Sequence, residues 1–341
     1  LYVYLGAILA FFLFAVVYYY LSIFRPLKNI LFQMQALISG KTYKKIFTKR
    51  IDEIGILAYF FNAVTKGLSE VSYDIKDRER MKDELTIAAK LQRDSFPLEN
   101  PCVPGLQIVA KNKPATELGG DSFNMFTHGD KTFIYIGDVT GHGVAAGLIM
   151  TMVNSLVTVF LDTGLNVLDI VIHLNKYIKK HVKKAMFMTM VMLCWDHKNQ
   201  KLTYVGAGHE HIVVYRASSG KCDAILTGGV ALGMVPDNSK IVAEKEIELA
   251  DSDVVVLYTD GITEARNKAD VLYGLAGLQK AVKEYAPQYS AEGINFHLAK
   301  DVSDYMEGHV QDDDMTLIVL KRDVKNVDNQ KIIDKTIKWA D

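Results

Sequence analysis

Residues 132–138 read TFIYIGD, a run rich in β-branched and aromatic side chains that ends on an aspartate. Such a composition reads as a strand, with Asp138 at its end. The pattern returns in residues 254–260, VVVLYTD, which close on Asp260, and in residues 313–320, DDMTLIVL, which open on Asp313. Further strand-like runs, LQIVAK, FMTMVMLCWD, KLTYVGAG and HIVVYR, alternate with helical patterns near 143–161, 165–184, 274–286 and 291–306. The class is mixed α and β. A fourth carboxylate, Asp121, lies in ATELGGDSFNMF (115–126), directly after two glycines.

A single Asp-Gly pair is ordinary turn chemistry. Four aspartates at strand edges or tight glycine turns suit a hard cation instead, since Mg²⁺ and Mn²⁺ prefer oxygen ligands. Two such ions can orient a nucleophilic water and neutralise a phosphoryl group.

The chain of 341 residues is 49% apolar, enough to bury a sizeable core, so it is not a disordered protein. A net charge of −1, from 39 basic and 40 acidic residues, gives no pull toward nucleic acid. Three scattered cysteines, Cys102, Cys194 and Cys222, suit a reducing compartment.

The first 24 residues carry no charge; as a helix they extend about 36 Å, enough for a hydrocarbon core of roughly 30 Å. They read as a transmembrane helix. Tyr18, Tyr19 and Tyr20 fall where an interfacial belt belongs, and Arg25, Lys28, Lys41, Lys44, Lys45, Lys49 and Arg50 place the downstream side in the cytoplasm. The expected location is the cell inner membrane, with one visible span and a cytoplasmic catalytic domain. Because the sequence begins at Leu1, a sensor region upstream is expected.

Pro26 opens a short helix with Leu27, Ile30, Met34 and Leu37 at steps of three and four. After a basic connector, Ile54, Leu57, Phe61, Val64, Leu68, Val71 and Ile75 repeat that spacing. Two narrow seams on one chain call for a partner chain, so a parallel homodimer is expected. Helix, connector and helix after a span, with Asp52-Glu53-Ile54-Gly55 opening the second helix, resembles a HAMP relay domain. Arg78 and Lys82 then interrupt the seam, and helix resumes toward Phe96 and Pro97.

The motifs LQRDSFP, LGGDSFNMF, IGDVTGHGVAAGLIM, LTYVGAGH, VVVLYTDGITEARN and QDDDMTLIVLKR occur in the order and spacing of SpoIIE-type members of the metal-dependent (PPM) serine/threonine phosphatases, over roughly 85–322. The resemblance implies an α+β fold, a PPM-type β-sandwich flanked by helices, holding two Mn²⁺ or Mg²⁺ ions. It implies that Asp138 bridges both ions, that the Val139 carbonyl faces one, that Asp260 and Asp313 hold the other, and that Asp121 completes the first site. It also implies a phosphorylated STAS-domain protein as substrate. Asn124 stands where the family often has a second aspartate, and Ser122 replaces a usual aromatic. His142, four residues past Asp138, is read either as an aid to the leaving group or as a packing or turn residue, and His209 and Glu264 are expected as structural neighbours of the site.

The expected organisation is a transmembrane helix at 1–24, a HAMP domain and start of coiled coil at 25–75, a linker or switch helix at 76–97, a phosphatase domain at 98–322 and a tail at 323–341. Other readings fare worse. A dinucleotide cyclase needs a second acid where Ser122 stands; a histidine kinase needs a histidine after the relay, yet none precedes His128. No cysteine is followed by Arg at the C-x5-R spacing, and SGKT (39–42) lacks the first P-loop glycine. The alternative from another class is a catalytically silent docking module on a membrane receptor. Clustered, uncompensated carboxylates argue against it.

Overall fold

The computed structural model describes residues 2–39, 41–97, 100–141, 143–182 and 185–324; His142 and the side chains of Leu68, Val71, Ile75 and Arg78 lie outside the described residues. The chain divides into two compact units, Leu1–Glu84 and Leu85–Asp341.

In the first unit α1 (Tyr2–Tyr19) passes through a π-helical turn, Tyr20–Phe24, into α2 (Arg25–Ile38). The sequence suggests a break at 24/25; the backbone instead stays helical across it. Pro26 has no N–H to offer the carbonyl one turn back, and Ser22 O accepts from the Arg50 guanidinium instead. Arg50 also grips Asp52, with Nε 2.8 Å from Oδ2, and Asp52 Oδ1 accepts the Gly55 N–H at 3.0 Å at the start of α3 (Glu53–Asp94). The connector is tied down by Asn62, which accepts from Ile46 N and donates to Ile46 O. Helix α3 runs unbroken through the charged interruption. Of the seam residues, Phe61 is buried and Val64 is 41% exposed, while the strongly exposed apolar side chains Ile56, Tyr59 and Phe60 lie off the seam.

The second unit is built on two five-stranded sheets. One has the order β1 (Leu106–Lys113), β10 (Met315–Arg322), β9 (Val254–Tyr258), β6 (Ile212–Arg216), β7 (Lys221–Ile225). The other runs β2 (Asp121–His128), β3 (Lys131–Val139), β4 (Met188–Asp196), β5 (Lys201–Ala207), β8 (Lys245–Ile247). All pairings are antiparallel. Alternate residues fill the space between the sheets, among them Ile134, Ile136, Leu193, Trp195, Val255, Leu257, Ile318 and Leu320. The opposite face of the second sheet is covered by α4 (Val144–Asp162) and α5 (Val167–His181). That of the first sheet is covered by α7 (Gly274–Tyr285) and α8 (Ala291–Met306).

Strands buried on both faces explain why their sequences are continuous apolar runs rather than alternating ones. Each Leu, Ile or Val so buried stabilises the fold by about 1.5–3 kcal/mol. The sandwich with flanking helices agrees with the expected α+β class. Four elements were not anticipated: β2, which begins at Asp121 itself, the short edge strands β7 and β8, and the one-turn helix α6 (Asp260–Thr263).

Candidate active site

The register of the sheets decides where the carboxylates go. Asp121 stands directly opposite Asp138 in the β2–β3 pair. Alternation places both on the face of Phe123, Ile134 and Ile136, at the end where the apolar filling stops. From the other sheet, Thr259 continues the Val255 and Leu257 face, and Thr316 continues that of Ile318 and Leu320. Both threonine hydroxyls donate to Asp121 Oδ2, Thr259 at 2.7 Å. Asp260 opens α6 immediately after Thr259, and Asp313 precedes β10 by two residues.

Like charges set opposite each other on a sheet repel, and burial removes the water that would screen them. Asp121, 2% exposed, is pushed well above the usual carboxylate range by burial and then by Asp138, against the pull of the Thr316 and Thr259 hydroxyls. Asp138 is pushed up to about 8 by burial, then by Asp260, Asp313 and Asp314. Asp260 rises to about 6 through burial, then Asp313, Glu264 and Glu210. Of the four aspartates named from the sequence, Asp138 is thus felt by Asp121 across the β2–β3 pair and itself feels Asp260 and Asp313 from the other sheet. Among the described residues no group of three or more His, Cys, Asp or Glu side chains stands close enough together to hold a metal ion by itself.

The glycine turn before Asp121 is gripped by a residue the sequence reading passed over. Asp314 accepts from Gly120 N at 2.6 Å and from Ala115 N at 2.7 Å, so it joins the start of β10 to the turn before β2. A Cβ at Gly119 would lie 2.6 Å from Asp314 Oδ2, and one at Gly261 2.1 Å from the Asp314 carbonyl. Both closures need glycine. The Val139 carbonyl also abuts the turn, 2.9 Å from where a Cβ on Gly120 would stand. Thr259, Thr316 and Gln92, whose amide bonds the Gly119 carbonyl at 2.7 Å, were likewise not singled out. For the two threonines a signal existed: extending the core alternation of VVVLYT and TLIVL by one step puts both on the Asp121 face.

Asn124 falls on the opposite face of β2 from Asp121, bonded to Asn154 Oδ1 at 2.8 Å. Ser122 is bonded to the Tyr135 hydroxyl at 2.9 Å. Neither faces the carboxylates. His209 Nδ1 bonds Thr189 Oγ1 at 2.9 Å, and Thr189 is the β4 partner of Asp138; burial holds this imidazole down to about 4, hence neutral. Beside Asp313 opens a cleft of roughly 270 Å³ lined by Gly261, Glu264, Arg266, Met306, Val310 and Asp312, among others.

Oxygen-only donors that repel one another fit a hard divalent cation, whose charge would offset the repulsion and hold the carboxylates ionised.

Residues 128–323 match the family described as Stage II sporulation protein E (SpoIIE), a stretch that includes Asp138, Asp260 and Asp313 but not Asp121. The chain is 29% identical over 251 residues to the phosphoserine phosphatase RsbU of Bacillus subtilis (strain 168), covering 72% of each. It is 28% identical over 303 residues to protein IcfG of Synechocystis sp., covering 80% of this chain and 47%, about half, of that one. In structure it resembles the SiaA-PP2C domain of Pseudomonas aeruginosa, with TM-score 0.62 and 20% identity over 72% of this chain and 99% of that one.

Proposed function

The chain belongs to the SpoIIE family and is a serine phosphatase, as its relatives RsbU and RsbP, both named phosphoserine phosphatases, are; we propose that it is a membrane-anchored, metal-dependent phosphoserine/phosphothreonine protein phosphatase. Its substrate is proposed to be a phosphorylated STAS-type anti-sigma-factor antagonist. The observation that carries the reading is the convergence of Asp121, Asp138, Asp260 and Asp313 at one mouth of the sandwich, where Asp138 is pushed up to about 8 by burial and its acidic neighbours. A docking face has no use for such a cluster, which destabilises the chain that carries it.

Asp138, with the Val139 carbonyl and Asp121, would hold one Mn²⁺ or Mg²⁺; Asp138, Asp260 and Asp313 would hold the second. When bound, two such ions supply Lewis-acid polarisation of the phosphoryl oxygens and lower the pKa of water. The protein's own part is positional. Thr259 and Thr316 fix the Asp121 carboxylate, Asp314 fixes the turn that delivers it, and neutral His209 anchors Thr189 beside Asp138. The cleft past Asp313 gives the phosphorylated segment its approach, with the apolar sides of Met306 and Val310 available to neighbouring residues.

Residues 1–24 are read as the membrane span: within the helical segment Ile8–Ile38 an 18-residue stretch has mean hydropathy 1.9, and none of it is buried. The second apolar helix, α4, packs its Val153 and Val157 face in the core instead. Residues 25–75 are read as a HAMP relay and start of coiled coil, supported by the connector tied through Asn62 and by seam residues left partly exposed in a single chain. A homodimer, the linker at 76–97, the phosphatase domain at 98–322 and the tail at 323–341 complete the reading. Incubating the full chain in nanodiscs with a phosphorylated STAS-domain protein and Mn²⁺ should release inorganic phosphate. Capture of that protein without phosphate release and without Mn²⁺ uptake would establish the docking module instead.

A further inference from the structure

We propose that Gln92, near the end of α3, is a positioning residue that holds the Gly119-Gly120 turn in the shape that delivers Asp121; this rests on the metal site read above.

Both hydrogen-bonding groups of Gly119 are given to this one side chain. Gln92 Nε2 donates to the Gly119 carbonyl at 2.7 Å, and Gln92 Oε1 accepts from the Gly119 N–H at 3.1 Å. The pair imitates a strand partner for a residue that lies just before β2 and has no ladder of its own. The turn thus has two grips: Gln92 on Gly119 and Asp314 on Gly120.

The site for the amide is built rather than incidental. Gln92 is 6% exposed, and Leu118, Gly119 and Gly120 are buried with it. Water therefore cannot readily replace the lost bonds, and an orphaned buried amide group is costly. Helix α4 leaves room at Gly147, where a Cβ would stand 3.1 Å from Gln92 Nε2 and 3.3 Å from Leu118. The frame behind Gln92 is fixed at a second point. The Ser95 carbonyl accepts from Asn154 Nδ2 at 3.0 Å, and the Phe96 ring stacks on Phe123 of β2 with centroids 4.7 Å apart. A helix end docked on both β2 and α4 gives the amide a fixed base from which to hold the turn. Loss of the grip leaves Asp121 attached to its threonines while the turn that sets its backbone loosens, so metal uptake at the first position suffers first.

The test uses the full chain in detergent micelles. Gln92→Met keeps the length and removes both hydrogen bonds; Gln92→Glu keeps the acceptor for Gly119 N–H and removes the donor. Lys90→Ala, on the exposed side of the same helix, serves as control. Hydrogen exchange in the peptide over 115–121 should quicken at least tenfold in Gln92→Met and by less in Gln92→Glu, with exchange in β9 and β10 unchanged. Mn²⁺ affinity by calorimetry should fall at least fivefold in Gln92→Met, and Lys90→Ala should match the parent in both. Retained protection and affinity in Gln92→Met would overturn the proposal, as would quickened exchange spread equally over β9 and β10, the mark of general destabilisation. If Gln92→Met does not fold, unchanged exchange at 115–121 in Gln92→Glu overturns it instead. A parent chain that takes up no Mn²⁺ would sink the metal reading itself, and this positioning role with it.

Discussion

Replacing Asp138 by Asn should make the metal-free protein more stable while abolishing its catalysis. In the folded, metal-free chain Asp138 is pushed from 3.8 to about 8, with burial and then Asp260, Asp313 and Asp314 as causes. The folded state therefore binds more protons than the unfolded state between about pH 4 and 8, so stability falls as pH rises through that window and levels off above it. At about 1.4 kcal/mol per unit, the loss attached to this carboxyl is about 1 kcal/mol at pH 4.5 and about 4 kcal/mol at pH 7. Part is shared with Asp260, which is among the causes and is itself raised by the same Asp313, so a gain of about 2–4 kcal/mol is expected in Asp138→Asn at pH 7. For a unit of this size that is roughly 5–10 °C in melting temperature. The assay is thermal unfolding of the full chain in EDTA at pH 4.5 and pH 7, comparing variant with parent at each pH. The increment should be small at pH 4.5 and large at pH 7. A variant that melts at or below the parent at pH 7, or an increment independent of pH, would refute the electrostatic reading of the site.

Asp313→Asn should lower phosphate release by two or more orders of magnitude in saturating Mn²⁺ while leaving the metal-free melting temperature equal or higher; near-normal turnover would remove Asp313 from the site. Thr316→Val takes one of two hydroxyls from Asp121 and should weaken Mn²⁺ binding by about tenfold, the worth of one hydrogen bond to a charged group; calorimetry with parent-like affinity would count against it. In membranes Leu68→Cys should crosslink to its twin far more than Ser69→Cys, as the heptad spacing requires. Equal crosslinking at the two positions would point to a different contact face, such as that of Ile56 and Phe60.

The strands legible in the sequence were runs dominated by β-branched, aromatic and other apolar residues, because extensive burial leaves few polar residues to confuse the reading. Asp138, Asp260 and Asp313 stood out for the same reason: each follows or precedes such a run. Residues 121–128 hid their strand, since the Asp, Ser and Asn in DSFNMFTH serve polar contacts at the site, with Tyr135 of β3, and with α4 and the end of α3, rather than the apolar filling. Edge strands β7 and β8 are short and half-exposed, with too few residues to show a period. Asp314 and Gln92 were invisible on physical grounds as well. Their partners are backbone groups 194 and 27 residues away in sequence, and nothing in a linear pattern marks a side chain that will satisfy a distant amide.

The bond from Arg50 to the Ser22 carbonyl carries a mechanical meaning. The connector between α2 and α3 has no regular structure and by itself would act as slack cord. One guanidinium shortens it: the same side chain holds the carbonyl left open by Pro26 and the carboxylate that caps α3. Twist or slide α1, and the tug reaches the first turn of α3 through three bonded groups rather than through the whole loop. Proline here acts less as a helix opener than as the maker of a socket into which a lever arm from downstream is fitted.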